Sequence, residues 1–434
     1  MFFSQLSRRA VPAPPASLAG KKLWLPPMSD APARALAAVF RSLGIDAECT
    51  PPSDARTREL GARCTNGDEC YPTKVTLGDY LKVLERPGTD PSKTVFLMAT
   101  GQGPCRFGQY APYMKSVFAS LGYPDITLMS PSFENGYSDF VENSTVFVRS
   151  AWRAIVASDI LRKLLLKTRP YEAIPGSADA VHEECVRDLC RVLEWNYRSY
   201  GAQMESLHEC LLRAREMFRV LPRRNGYVRP LIGIVGEIFC RLNTFSNDEL
   251  VRRLEEAGAE VWMNDVSEWI WYTNSEEFRL FRLQGSPYSK AALASRIRAH
   301  FQKKDEHDLL APLHEEFRGY EEPDSIQEVL DYAAPYLPAA GTSGEMVLNI
   351  GKSVYFARKG LDGIIDISPF TCMNGIVCEA IYPRVSRDNA GIPIRNFYFD
   401  GTQSDLERDI GIYLELARSY QQRKPWPRMH PSAA

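Results

Sequence analysis

Twice along this chain, short apolar runs alternate with helix-length amphipathic stretches, and glycine or proline punctuates the changes. No other feature of the sequence constrains the fold as much. From Lys22 the run KLWLPP leads into a helical period over residues 33–43, which Gly44 closes. TVFLMAT at 94–100 is the next buried-strand pattern, followed by a helical period over 109–121, Gly122 and the run DITLMSP. Apolar runs of this length fit strands covered on both faces, and strands that alternate with helices pair in parallel.

The theme stops over residues 144–220. There FVRSAWRAIVASDILRKLLL and VHEECVRDLCRVLEW set apolar residues three and four apart, as long amphipathic helices do. It restarts at Arg229 with PLIGIVGEIF and continues through GLDGIIDISPF, CMNGIVCEAIYPRV, IPIRNFYFD and a last helix from Ser404. The expected fold class is α/β, with two open parallel-sheet (Rossmann/flavodoxin-like) domains joined by a long helical segment. The boundaries expected are a disordered lead-in over 1–20, a first α/β domain over 21–143, a helical connector over 144–228, a second α/β domain over 229–423 and a flexible tail over 424–434.

Composition narrows the function. Lysine and arginine number 52 against 54 acidic residues, a net charge of −2, so a general nucleic-acid-coating role lacks its electrostatic driving force. No stretch approaches the roughly 18 uninterrupted apolar residues of a membrane-spanning helix, and the start MFFSQLSRR does not read as a secretory signal. A cytoplasmic protein is expected. Ten cysteines in such a chain point to reduced thiols, metal ligands or core residues, not to a disulfide framework.

In open parallel sheets ligands collect at the carboxyl ends of the strands. Cys70 lies in TNGDECYPTK ahead of a helix, Cys105 in GPCRFGQY beyond the strand at 94–100, and Cys372 in SPFTCMNG beyond GLDGIIDISPF. Gly101, Gly103, Pro104 and Gly108 leave little side-chain bulk around Cys105, as a close approach of main chain to a ligand requires. Cys372 begins a helix, whose positive end favours a thiolate-bound anion, and Arg106 adds charge beside Cys105. Three thiolates with an open fourth position suit an iron–sulfur cluster or a catalytic zinc; the plainer reading is three ordinary buried thiols. Cys185, Cys190 and Cys210 fall at apolar helix positions and read as core, and Cys49 and Cys240 read as structural.

ECYPTK (69–74), GPCRFGQY (103–110), GIVGEIFCR with the following FSND (233–248), LEEAGAEV (254–261) and PFTCMNG (369–375) resemble the acyl-CoA dehydratase activase-related proteins. That family is similar to the iron–sulfur subunits of 2-hydroxyacyl-CoA dehydratases and to double-cubane cluster proteins. The resemblance spans residues 60–420, and GPCRFGQY is its most specific motif. It implies a 4Fe-4S cluster held between the α/β domains by Cys70, Cys105 and Cys372, with Gly103 and Gly108 shaping the cofactor loop. A larger double-cubane cluster would draw on Cys64 and Cys378.

The resemblance also implies electron transfer at low potential. A separate ATP-dependent activase or reductase injects the electron, and a small molecule, a 2-hydroxyacyl-CoA in the dehydratases, is reduced to a ketyl radical that expels hydroxide. The chain would then act as a lyase or as a component of an ATP-coupled reductase, in a homodimer or heterodimer. With no GxxxxGK[ST] in the sequence, no ATP site of its own is expected. Glu69, Lys74, Arg106, Gln109 and Glu237 are the polar neighbours that would orient substrate or transfer protons, against an equal expectation that each is structural or solvated. Two other readings stay open, a non-catalytic α/β scaffold of the same fold and a thiolate zinc protein.

Overall fold

The computed structural model describes residues 14–101, 103–130, 144–224, 228–338, 344–402 and 405–428. The first lobe runs β1 (Lys22–Leu25), α1 (Asp30–Ser42), β2 (Ala47–Cys49), α2 (Ala55–Arg63), α3 (Tyr71–Leu84), β3 (Thr94–Leu97), α4 (Tyr110–Ser120) and β4 (Thr127–Met129). All its strands are parallel, in the order β2-β1-β3-β4. The apolar runs are strands because both faces are covered: Leu23 and Leu25 join the core under α1, while Trp24 and Phe96 pack with Tyr80 and Phe118 on the other side.

Three long helices follow, α5 (Ser144–Thr168), α6 (Ser177–Glu194) and α7 (Tyr200–Arg219). They form one core with the first lobe, in which Leu161, Leu189, Leu207 and Leu211 are fully buried beside Ala35 and Val39 of α1. Burial of a leucine side chain stabilises by about 1.5–3 kcal/mol, so the helical connector also serves as a packing layer on the first lobe.

The second lobe comprises β5 (Leu231–Gly236), α8 (Ile238–Leu242), α9 (Leu250–Glu256), β6 (Glu260–Met263), α10 (Val266–Leu283), α11 (Lys290–Leu310), α12 (Ile326–Ala333), α13 (Met346–Arg358), β7 (Gly363–Pro369), α14 (Met373–Asp388), β8 (Ile394–Phe399) and α15 (Leu406–Arg423). Its strands are again parallel, in the order β6-β5-β7-β8. Both sheets therefore place their strands second-first-third-fourth, and both carry a switch point between the first and third strands, where the chain reverses its winding. The expected pair of open parallel-sheet domains is present. α11 leaves the second lobe to pack on α5, fixed by the buried pair Arg153 to Asp305 at 2.9 and 3.0 Å.

The two ends of the chain depart from expectation. Residues 1–13 of the lead-in lie outside the described residues, but Leu18 is buried in the first core instead of trailing in solvent. Residues 429–434 of the tail also lie outside them. The tail expected to be flexible is pinned as far as it is described: Lys424 pairs with Asp362 at 2.6 Å, Trp426 donates to the Ala357 carbonyl at 3.0 Å, and Arg428 grips Glu260 at 2.8 and 2.9 Å.

The carboxyl ends of the two sheets face one another. Asn243, after α8, donates to the Pro27 carbonyl at 3.1 Å and to Ser53 at 3.3 Å, Arg58 reaches the Gly401 carbonyl at 3.0 Å, and Tyr71 and Val75 of α3 sit in the core of the second lobe.

Candidate functional site

The switch points supply the site. In the second lobe Glu237 directly follows β5, and Cys372 follows β7, the two strands that flank the reversal. In the first lobe Cys105 lies beyond β3. Each of these residues, together with Cys70 and Glu345, begins a helical segment: Cys70 caps α3, Cys105 the turn at 106–109 that runs into α4, Glu237 caps α8, Glu345 α13 and Cys372 α14.

Charge ties these residues into one group. The carboxylate of Glu237 acts on Cys105, on Cys372 and on the hydroxyl of Tyr110, while the Cys70 thiol acts on Cys105 and on Tyr110. Glu345 acts on Cys105 and Cys372 as well. Cys70 and Cys372 are buried, and Cys105 is exposed. Burial and then the Glu237 charge push the Cys372 thiol up to about 12, against the amides of Gly375 and Asn374 that donate toward its sulfur. Burial likewise raises Cys105, opposed by the Phe107 amide. Both are protonated thiols in the free protein, and a metal would displace those protons.

Beside the thiols lie two carboxylates, Glu345 buried and Glu237 half-buried. Glu237 accepts from the amides of Phe239 at 3.1 Å and Cys240 at 2.8 Å, and Glu345 accepts from the amide of Ile238 at 3.2 Å, so the pair takes up the free donors at the start of α8. Burial, followed by the nearby Glu237 charge, pushes Glu345 up to about 8. Burial raises Glu237 too. Two like charges this close in a desolvated site favour holding one proton between them. Arg241, 4% exposed, stands behind them with one guanidinium nitrogen on the Asn264 carbonyl at 2.8 Å and its Nε without a partner. Asn374 Oδ1, on the first turn after Cys372, is also buried and unpartnered.

Arg106 closes the site across the lobes. Its guanidinium donates to the Asp68 carbonyl at 2.5 Å, two residues before Cys70, and to the carbonyl and hydroxyl of Thr371 at 3.1 Å, one residue before Cys372. Thr371 has a φ of 64°, a left-handed backbone that costs a residue with a branched side chain and turns Cys372 toward the cleft. Two glycines are required by close approach. A Cβ on Gly108 would lie 2.6 Å from the Gly101 carbonyl oxygen, and one on Gly375 would lie 2.7 Å from Ser368 Oγ. Gly103, with a φ of 96°, makes the turn that leads to Cys105. Phe370, Met373 and Ile376 stand exposed around Cys372.

The structure thus brings together Cys70, Cys105, Cys372, Arg106 and Glu237, with Gly103 and Gly108 in the intervening loop. The remaining polar candidates are placed elsewhere. Glu69 turns into its own loop, where the amides of Asn66 and Gly67 bind it at 2.9 and 3.1 Å. The ammonium of Lys74 lies 5.9 Å from the Tyr71 ring centroid and acts on Asp400 at the end of β8. Gln109 is exposed at the start of α4 and makes no side-chain capping bond. Cys64 ends α2, its carbonyl taken by Tyr113, and Cys378 is fully buried in the core beneath α13, its thiol 3.6 Å from the Met346 carbonyl.

Two participants escaped the sequence reading. Cys240 is fully buried three residues after Glu237 and lies within electrostatic reach of both Cys70 and Cys372. Its position just past a strand end was the available signal. Glu345 carried none, because it stands between helices in no recognisable motif. Among the described residues, no three His, Cys, Asp or Glu side chains close around a single metal ion, and no helix is long and apolar enough to cross a membrane.

Fold and site define a two-lobed α/β protein with thiols and carboxylates gathered near the carboxyl ends of two parallel sheets. In comparison with known protein families and curated proteins, the chain matches none.

Proposed function

We propose that this chain is an iron–sulfur redox protein in which Cys70, Cys105 and Cys372 hold a 4Fe-4S cluster between the lobes. A separate ATP-dependent activase supplies the electron, and a small molecule, with acyl-CoA thioesters as the first class to test, is reduced. The observation that carries the reading is that three cysteines from both lobes, each at the start of a helical segment, share the electrostatic influence of Glu237 and Glu345 or of one another.

When bound, such a cluster supplies one-electron chemistry at low potential and an iron open to substrate. The remaining work falls to the chain. The amides of Phe107, Asn374 and Gly375 would donate to the thiolate sulfurs and moderate their charge, a known determinant of potential. Arg106 would hold the loops of Cys70 and Cys372 at a fixed separation. Glu345 would keep a proton on its carboxyl for a departing hydroxide, and the exposed Phe370, Met373 and Ile376 would give a partner or substrate apolar surface at the mouth.

Anaerobic purification and reconstitution, followed by iron and acid-labile sulfide analysis, tests the reading. About four irons per chain are expected, with loss of the brown colour and of bound iron in Cys105→Ser. A content of about eight would assign a double cubane. Zinc in place of iron, or no metal at all, overturns the proposal.

A further inference from the structure

An opening with a volume of about 810 Å³ lies at the end of α8. One face of α1, the exits of β1 and β2, α6 and the loop after α8 enclose it. It therefore sits at strand carboxyl ends, where parallel sheets receive ligands, and its size is that of a small-molecule site.

Its border is rich in guanidinium groups. Arg34 and Arg41 of α1 are braced by Glu183 and Glu194 of α6 at 2.7 and 2.9 Å. The others have charge to spare. Arg86 has no carboxylate partner among the described residues and rests over the Trp24 ring at 5.6 Å, while Arg187 and Arg191 approach acids only at 3.5 and 3.6 Å with side chains 61% and 67% exposed. Of the two carboxylates on the border, Glu48 is paired with Lys22 at 2.5 Å, and Asp30 shares Arg34, at 2.9 Å, with Glu183. Cys49 and Cys190 on the wall add no negative charge, because burial pushes their thiols up to about 12 and about 11.

Beside the guanidinium groups, Pro51, Pro52 and Phe245 present apolar surface. A bare inorganic anion would leave that surface and most of the volume unused.

We propose that this cleft binds a phosphorylated organic molecule of nucleotide size, with Arg86, Arg187 and Arg191 on its anionic group and the Pro51–Pro52 and Phe245 surface against its organic part. Side chains, not a glycine-rich loop, meet the phosphate. The assignment stands or falls independently of the thiol site.

Calorimetric titration of the full-length protein with ADP, FMN, coenzyme A and inorganic pyrophosphate tests it. At least one organic phosphate is expected to bind about tenfold or more tightly than pyrophosphate, and the paired substitutions Arg187→Glu and Arg191→Glu are expected to weaken it by about tenfold or more. Both side chains are exposed, so an unchanged melting temperature will show that the fold is intact. The proposal is overturned if no organic probe binds, if pyrophosphate binds as tightly as the best of them, or if the paired substitution leaves the affinity unchanged.

Discussion

Cys105 and Cys372 occupy the same position in the two lobes: each follows the third strand of its sheet and begins the helical segment that leads to the fourth. The parallel extends one helix back. Cys70 begins the helix before the third strand of the first lobe, and Glu345 the helix before that of the second. Where one lobe presents a thiol the other presents a carboxylate, so the site has near-symmetric geometry and asymmetric chemistry.

Arg106→Ala should separate holding from folding. The side chain is exposed and its bonds go to the backbone at Asp68 and to Thr371. The expected change in melting temperature is within about 2 °C, given the small stability effects of surface substitutions. In the reconstituted protein, iron loss to a chelator should accelerate severalfold. An unchanged rate would mean that the clasp does not govern the spacing of the cysteine loops.

Glu345→Gln removes a charge that raises both Cys105 and Cys372. In the metal-free protein the alkylation profiles of these two thiols, followed by peptide mapping, should move to lower pH by about half a unit or more. Profiles that coincide with those of the parent would detach Glu345 from the site.

Two glycine substitutions should differ sharply in cost. At Gly236 the φ is 122° and an added Cβ would fall 2.1 Å from the Ile367 carbonyl oxygen; Gly176, with a φ of 83°, opens onto empty space. Gly236→Ala is expected to destabilise by about 3 kcal/mol or more, Gly176→Ala by about 1 kcal/mol. Urea midpoints measure both, and equal losses would contradict the packing at the end of β5.

His182 sets a pH limit. Burial, and then the charge of Arg169, push its imidazole from 6.5 down to about 4, and its Nε2 is buried without a partner. A base whose folded value is depressed disfavours the proton, so stability is lost as pH falls from 6.5 toward 4. The loss attributable to this group is at most about 3 kcal/mol. The difference between parent and His182→Leu profiles isolates it, because the carboxylates titrate in both; parallel profiles would remove His182 from the acid response.

The strands were legible because each is a short apolar run that ends at a turn residue, and local burial decides such segments. The order of the strands was not, since it depends on which side each crossover takes. Cys70, Cys105 and Cys372 could be picked out as loop cysteines beside strand ends, and Arg106 as a charge beside one of them. Glu345 and Cys240 could not be joined to them in advance. Their role comes from partners more than a hundred residues away, as when Glu345 meets the start of α8 through the Ile238 amide. The pinned tail was missed for the same reason: Arg428 reads as a solvated charge until Glu260 is placed beside it.

The Arg106 clasp joins parts that no single lobe contains. A fragment ending before β5 would carry two of the three thiols and the arginine, and the complementary fragment only the third with the two carboxylates. Neither half could close a cage alone, so mixing separately expressed halves and watching for iron uptake would report their reassembly directly.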